Sequence, residues 1–105
     1  MSSEYILYTV SSPAEGREAE YHAWYDDVHL PEFCALPGVV SGRRFQVTGP
    51  KAGAKPLYAA VYEMSKDPAE VLAAMFEGVK AGTIHLSDAI DPASSSTSYL
   101  KALQP

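Results

Sequence analysis

Apolar and polar positions change their period along the chain, and each change marks an element. Residues 4–11 (Glu-Tyr-Ile-Leu-Tyr-Thr-Val-Ser) are dense in aromatic and β-branched side chains and predict a first strand. Ser12-Pro13-Ala14-Glu15 then reads as a helix start: a hydroxyl to cap, a proline for the first turn, and an acid three residues after the cap. The predicted helix runs to about Leu30, because Pro31 disfavours helical dihedrals in its predecessor. The alternative is a kink at Pro31 with a short turn continuing from Phe33 to Leu36. Pro37-Gly38 is a turn, residues 39–48 a second strand, residues 49–56 a Gly/Pro/Lys loop, and residues 57–64 a third strand. Asp67-Pro68-Ala69-Glu70 repeats the start signal, and Val71, Leu72, Met75, Phe76 and Val79 follow as one stripe at helical spacing. Gly82 is the expected stop. Residues 83–93 are an irregular connection, and residues 94–103 a weak last strand centred on Tyr99 and Leu100.

This order, β-α-β-β-α-β, predicts an α+β ferredoxin-like fold. It is a four-stranded antiparallel sheet with both helices on one face and the first and third strands in the centre. The alternation inside those strands adds a prediction. Strand one places Tyr5 and Leu7 on one face and Ile6, Tyr8 and Val10 on the other. Strand three sets Leu57, Ala59 and Val61 against Tyr58, Ala60, Tyr62 and Met64. Helices cover one face only, so an identical subunit is expected on the other, giving a homodimer through the sheet. The competing expectation leaves the tyrosines flat on the surface with their hydroxyls in water.

Composition narrows the partners. The 105 residues, expected to form one domain over 1–105, carry 8 basic and 13 acidic side chains, a formal charge of −5, with no basic stripe. That excludes a nucleic-acid partner. No apolar run approaches the roughly 20 residues that span a bilayer, so no membrane is expected, and the start lacks a signal-peptide pattern. A single cysteine, Cys34, forms no internal disulfide. A cytoplasmic protein is the expectation.

Candidate chemistry concentrates in residues 21–33, where four aromatics, two histidines and two aspartates crowd one helix end. On an α-helix Tyr21, Trp24, Tyr25 and Val28 share the face that meets the sheet. His29 falls one turn beyond Tyr25, at the border of that face. A half-buried imidazole there, with one nitrogen in a cavity and the other held by a carboxylate or carbonyl, is placed as a general base near neutral pH. The plainer alternative is that His29 only bonds the last helix carbonyls. Asp26 and Asp27 read most simply as a solvated face, although acids near the negative helix end oppose the dipole and hint at another purpose, such as holding His29 or His22. His22 and Asp26 have metal-pair spacing, but no third ligand is in view, so no metal is expected. Cys34 reads as a small hydrophobe rather than a nucleophile.

The run Trp24-Tyr25-x-x-x-His29-Leu30-Pro31, then Leu36-Pro37-Gly38-Val39 and Arg43-Arg44-Phe45, resembles the EthD-like branch of the dimeric α/β-barrel superfamily. The resemblance implies a barrel of two facing sheets, with a pocket between sheet and helices in each subunit. It carries over His29 as the acid/base residue, Trp24 and Tyr25 as the aromatic pair, and Arg44 loosely. The implied pocket is aromatic, and a one-residue register decides which tyrosine of each strand enters it. Tyr8 and Tyr62 are the assigned hydroxyls beside His29. Tyr5, Tyr58, Trp24, Tyr25, Arg44, Phe76 and His85 are the assigned substrate contacts. Such a lining suits a small aromatic, polyketide-like or lactone substrate and cofactor-independent cyclisation, isomerisation or lyase chemistry. Cofactor-free oxygenation of phenols and a non-catalytic binding dimer are the alternatives. The chain has no asparagine, which argues against the Asn/Trp/His set of haem-degrading relatives. Fold alone does not choose among these reactions.

Overall fold

The computed structural model describes residues 3–103. Four strands, β1 (Tyr5–Pro13), β2 (Val39–Gln46), β3 (Tyr58–Met64) and β4 (Ile90–Lys101), form one antiparallel sheet in the order β2-β3-β1-β4. The first and third strands are central, as the element order and right-handed crossovers predict. Leu7 pairs with Tyr62 on one side and with Tyr99 on the other, so these three side chains share a face. That face carries α1 (Glu18–Trp24), a π-helical segment (Tyr25–His29), α2 (Leu30–Cys34) and α3 (Pro68–Ala81). Between sheet and helices lies the core, with Leu7, Tyr21, Phe33, Tyr62, Met64 and Val71 all at most 2% exposed.

The two helix-start signals have opposite outcomes. Asp67 caps α3 through its side chain, which accepts from the Ala69 N–H at 2.9 Å, and Gly82 closes the helix with φ +84°. Ser12 and Pro13 stay in β1 instead. The Ser12 N–H donates to Ser94 Oγ and its hydroxyl donates to the Pro56 carbonyl. Pro13 pairs with Ile90. Long-range strand pairing absorbs the capping group, and the helix waits until Glu18.

Pro31 does not end the first helix. In an unbroken α-helix its ring would meet the carbonyl four residues back, that of Asp27. The helix widens one turn earlier, where the Leu30 N–H bonds the Tyr25 carbonyl five residues back, and then continues to Cys34.

Candidate functional site

The wide turn sets which side chains face the sheet. With 3.6 residues per turn, residues four apart drift steadily around a helix; a π turn takes up that drift. Tyr21, Tyr25, His29 and Phe33 therefore stay in line over the sheet. Tyr25 is 7% and Phe33 1% exposed. Val28, expected on this face, is half buried and turned toward an outer groove beside Asp27.

His29 sits in an aromatic cage. Trp24 stacks on its imidazole at 4.5 Å and 20°. The Tyr25 ring stands edge-on at 5.5 Å, Phe33 lies at 5.6 Å, and Tyr62 closes the floor at 6.5 Å. These rings border a cavity of about 400 Å³ between the sheet and α3, completed by Leu7 and Thr9 of β1, Met75 and Phe76 of α3, and Thr97 and Tyr99 of β4. Among the described residues, no lysine, arginine or carboxylate lines it. A β-bulge in the β1–β4 pairing between Val10 and Ser12 borders the same hollow, so both backbone irregularities converge there.

Among the described residues, His29 Nδ1 and the Tyr62 hydroxyl, which belong to residues of this wall, are buried with no protein hydrogen-bond partner. Both titrations respond to burial. The imidazole is held neutral, its pKa lowered to about 4 by desolvation, which Glu32 opposes only in part. The Tyr62 phenol is driven well above its ordinary range by burial first and by Tyr25 and Cys34 beside it, so it stays a donor.

Of the side chains singled out in the sequence, His29, Trp24, Tyr25, Tyr62 and Phe76 meet at the cavity. The others lie elsewhere. Tyr8, assigned as a hydroxyl beside His29, points to the opposite sheet face, because Leu7 next to it takes the helix side. Tyr5 and Tyr58 are on the helix side but outside the cavity. Lys101 covers the Tyr5 ring, and Tyr58 stands edge-on to His22 at 4.6 Å. Arg44 is drawn into a separate cluster. It donates to Asp26 Oδ1 at 2.9 Å and to His22 Nδ1 at 3.0 Å, with its guanidinium 4.6 Å from the Tyr25 ring centre. Asp26 therefore holds Arg44, not His29. His85 is exposed, and Glu32 binds both its backbone N–H and its Nδ1.

The sequence reading missed Leu7, Thr9, Met75, Thr97 and Tyr99 as cavity wall. Leu7 and Met75 were legible as core positions; the β4 residues were not, because the last strand carried little pattern.

The helix-backed antiparallel sheet with a hollow beneath its first helix is a ferredoxin-like α+β arrangement. By sequence the chain matches no protein-family model and no curated protein. Among solved structures it is similar to an ethyl tert-butyl ether degradation (EthD) family protein of Bacillus halodurans, at 17% identity and TM-score 0.57 over 95% of this chain and 99% of that one. It is similar to the heme-degrader MhuD of Mycobacterium tuberculosis, at 15% identity and TM-score 0.58 over 96% and 97%. It also resembles a variant of SnoaB, a cofactor-independent oxygenase from Streptomyces nogalater, at 16% identity and TM-score 0.55 over 99% and 97%. At these identities the likeness is one of fold. The presence of an EthD family protein among the neighbours agrees with the branch to which the Trp24–Phe45 motif points.

Proposed function

We propose that this protein is a cofactor-independent enzyme that uses His29 as a general base on a small, uncharged aromatic or polyketide-like compound. One observation carries the reading: a neutral, desolvated imidazole and a tyrosine whose hydroxyl has no protein partner both belong to the wall of a cavity that, among the described residues, holds no charged side chain. A substrate carbonyl or phenol oxygen supplies the partner that the Tyr62 hydroxyl lacks. When His29 removes an acidic proton, charge develops on that oxygen and Tyr62 donates to it. The imidazolium formed next to the anion is stabilised by it, which offsets the desolvation that keeps the free imidazole neutral. Aldol-type cyclisation, enol isomerisation and lyase chemistry all begin with this step.

SnoaB favours a second outcome from the same base step. The carbanion reacts with dioxygen, which is the oxidant, and the substrate is oxygenated. MhuD raises heme as a ligand. The cavity does not suit it, since among the described residues no cationic side chain lines the wall to meet propionate groups. The same proposal includes a second copy of the chain against the free sheet face, where Ile6, Tyr8, Val10 and Val61 lie half exposed.

Proton abstraction can be followed directly. Wild-type protein is expected to speed deuterium exchange at the acidic carbon of a neutral aromatic 1,3-diketone. His29→Ala should lose about 10² to 10⁴ of that rate, the usual worth of a positioned base, while staying folded. Equal exchange by the variant would overturn the assignment. Oxygen uptake with phenolic substrates in air, compared with product formation under nitrogen, separates the oxygenase outcome from the others.

A further inference from the structure

We infer that Glu32 and His85 form a latch that fixes the Trp24 ring over the His29 imidazole, so that Glu32 is a positioning residue for the cavity. The connection is continuous. The Glu32 carboxylate accepts from the His85 backbone N–H at 2.8 Å with one oxygen and meets His85 Nδ1 at 2.6 Å with the other. The His85 carbonyl accepts the Trp24 indole N–H at 2.9 Å. The Trp24 ring stacks on His29 at 4.5 Å.

The surroundings make this a movable part. Ile84 (5% exposed) and Ala89 (0%) anchor the segment after α3 on either side, whereas His85 is exposed and Leu86 is 58% exposed. Leu86 borders both the cavity and the outer groove along Ala23, Trp24 and Val28. The tip at His85 and Leu86 is thus the partition between the hollow and solvent. Glu32 holds this tip from the helix side with both of its oxygens, and the Trp24 indole N–H holds it from the cavity side. Releasing the tip frees the indole N–H and uncovers the imidazole, leaving the buried anchors in place.

Trp24 is the chain's one tryptophan, which makes the latch measurable without any substrate. Three variants are compared with wild type: Glu32→Ala, Glu32→Gln and His85→Ala. The last keeps the Glu32 charge and the His85 backbone groups. The readouts are Trp24 emission, its quenching by acrylamide, and the His29 titration by NMR. With the latch broken, emission shifts to the red and quenching rises about threefold in Glu32→Ala. The His29 pKa climbs from about 4 toward 6.5 as water reaches the ring. Glu32→Gln and His85→Ala fall between wild type and Glu32→Ala. A purely electrostatic Glu32 gives the opposite sign, since losing its charge lowers the His29 pKa further and leaves Trp24 unchanged; that result overturns the latch. So does unchanged quenching in the folded His85→Ala protein, which covers the case in which Glu32→Ala fails to fold. The latch bears on the proposed function by governing the cover of His29, yet none of these readouts needs turnover, so a failed latch and a failed base assignment are read separately.

Discussion

At the scale of single residues, His29 Nδ1 and the Tyr62 hydroxyl stand out among the described residues as buried polar atoms with no protein partner. A buried hydroxyl without a partner costs about 1 to 3 kcal/mol, and a chain that carries one has a use for it or has not been selected against it. Tyr62→Phe distinguishes these. Melting temperature is expected to hold or rise, because the orphan is removed and the ring is kept. The exchange rate of the diketone should fall by about 10² or more, the usual effect of losing one donor to a developing oxyanion. A stabilised variant with full activity would place Tyr62 outside the chemistry. His29 gives a pH prediction of definite sign. Its folded pKa, about 4, lies below the ordinary imidazole value of 6.5, so the unfolded chain binds the proton first as pH falls. Stability attributable to His29 is complete above about pH 6.5 and declines toward pH 4, by on the order of 3 kcal/mol. Urea titrations of wild type and His29→Phe across that window should converge in slope at the upper end and diverge at the lower.

At the scale of elements, the π turn is the decisive piece. Sequence spacing places Tyr21, Trp24, Tyr25 and Val28 on the buried face, and the proline rule ends the helix near Leu30. The structure keeps Tyr21 and Tyr25 inside, exchanges Val28 for His29, and carries the helix on to bury Phe33. One extra residue in the turn accomplishes all three. Deleting the exposed Asp27 restores an ordinary helical register and rotates everything beyond by roughly 100°. Phe33 then leaves the core, at a cost of about 3 to 5 kcal/mol on thermal or urea unfolding, and the stacking of Trp24 on His29 is lost. An unchanged melting temperature would mean that the turn is not what positions Phe33. The misread start at Ser12-Pro13 teaches the same lesson from the other direction. A capping pattern is a local preference worth about 1 kcal/mol, and two long-range hydrogen bonds of Ser12 together with the pairing of Pro13 opposite Ile90 outweigh it.

For the whole molecule, the question is what covers the far side of the sheet. Ile6, Tyr8 and Val10 of β1 and Val61 of β3 present there, with Phe45 and Leu100 toward the edges, 44% and 48% exposed. The proposed second copy makes a concrete demand. Sedimentation should give a dimer, and Val61→Arg, which puts a charge in the middle of that face, should give a monomer with the cavity intact. A monomeric wild-type protein at micromolar concentration would remove the dimer from the reading and leave the base chemistry as it stands. The helix side behaves differently, since its aromatic rings pack on one another and on the sheet within a single chain.

The amino-acid sequence by itself determined the order of the elements, the central place of the first and third strands, the second helix with its Asp67 cap and Gly82 stop, and the crowding of chemistry around residues 21–33. These follow from period, capping groups and turn residues, which are read over a few neighbouring positions. Only the tertiary structure decided which tyrosine enters the cavity, because strand register reverses every side chain with a one-residue slip. It also decided that Asp26 serves Arg44 and Glu32 serves His85, pairings made across 18 and 53 residues of chain that no local pattern encodes. The inward turn of His29 belongs to both. Pro31 announces a disturbance, and the packing of Phe33 against the sheet selects a wide turn over a helix end.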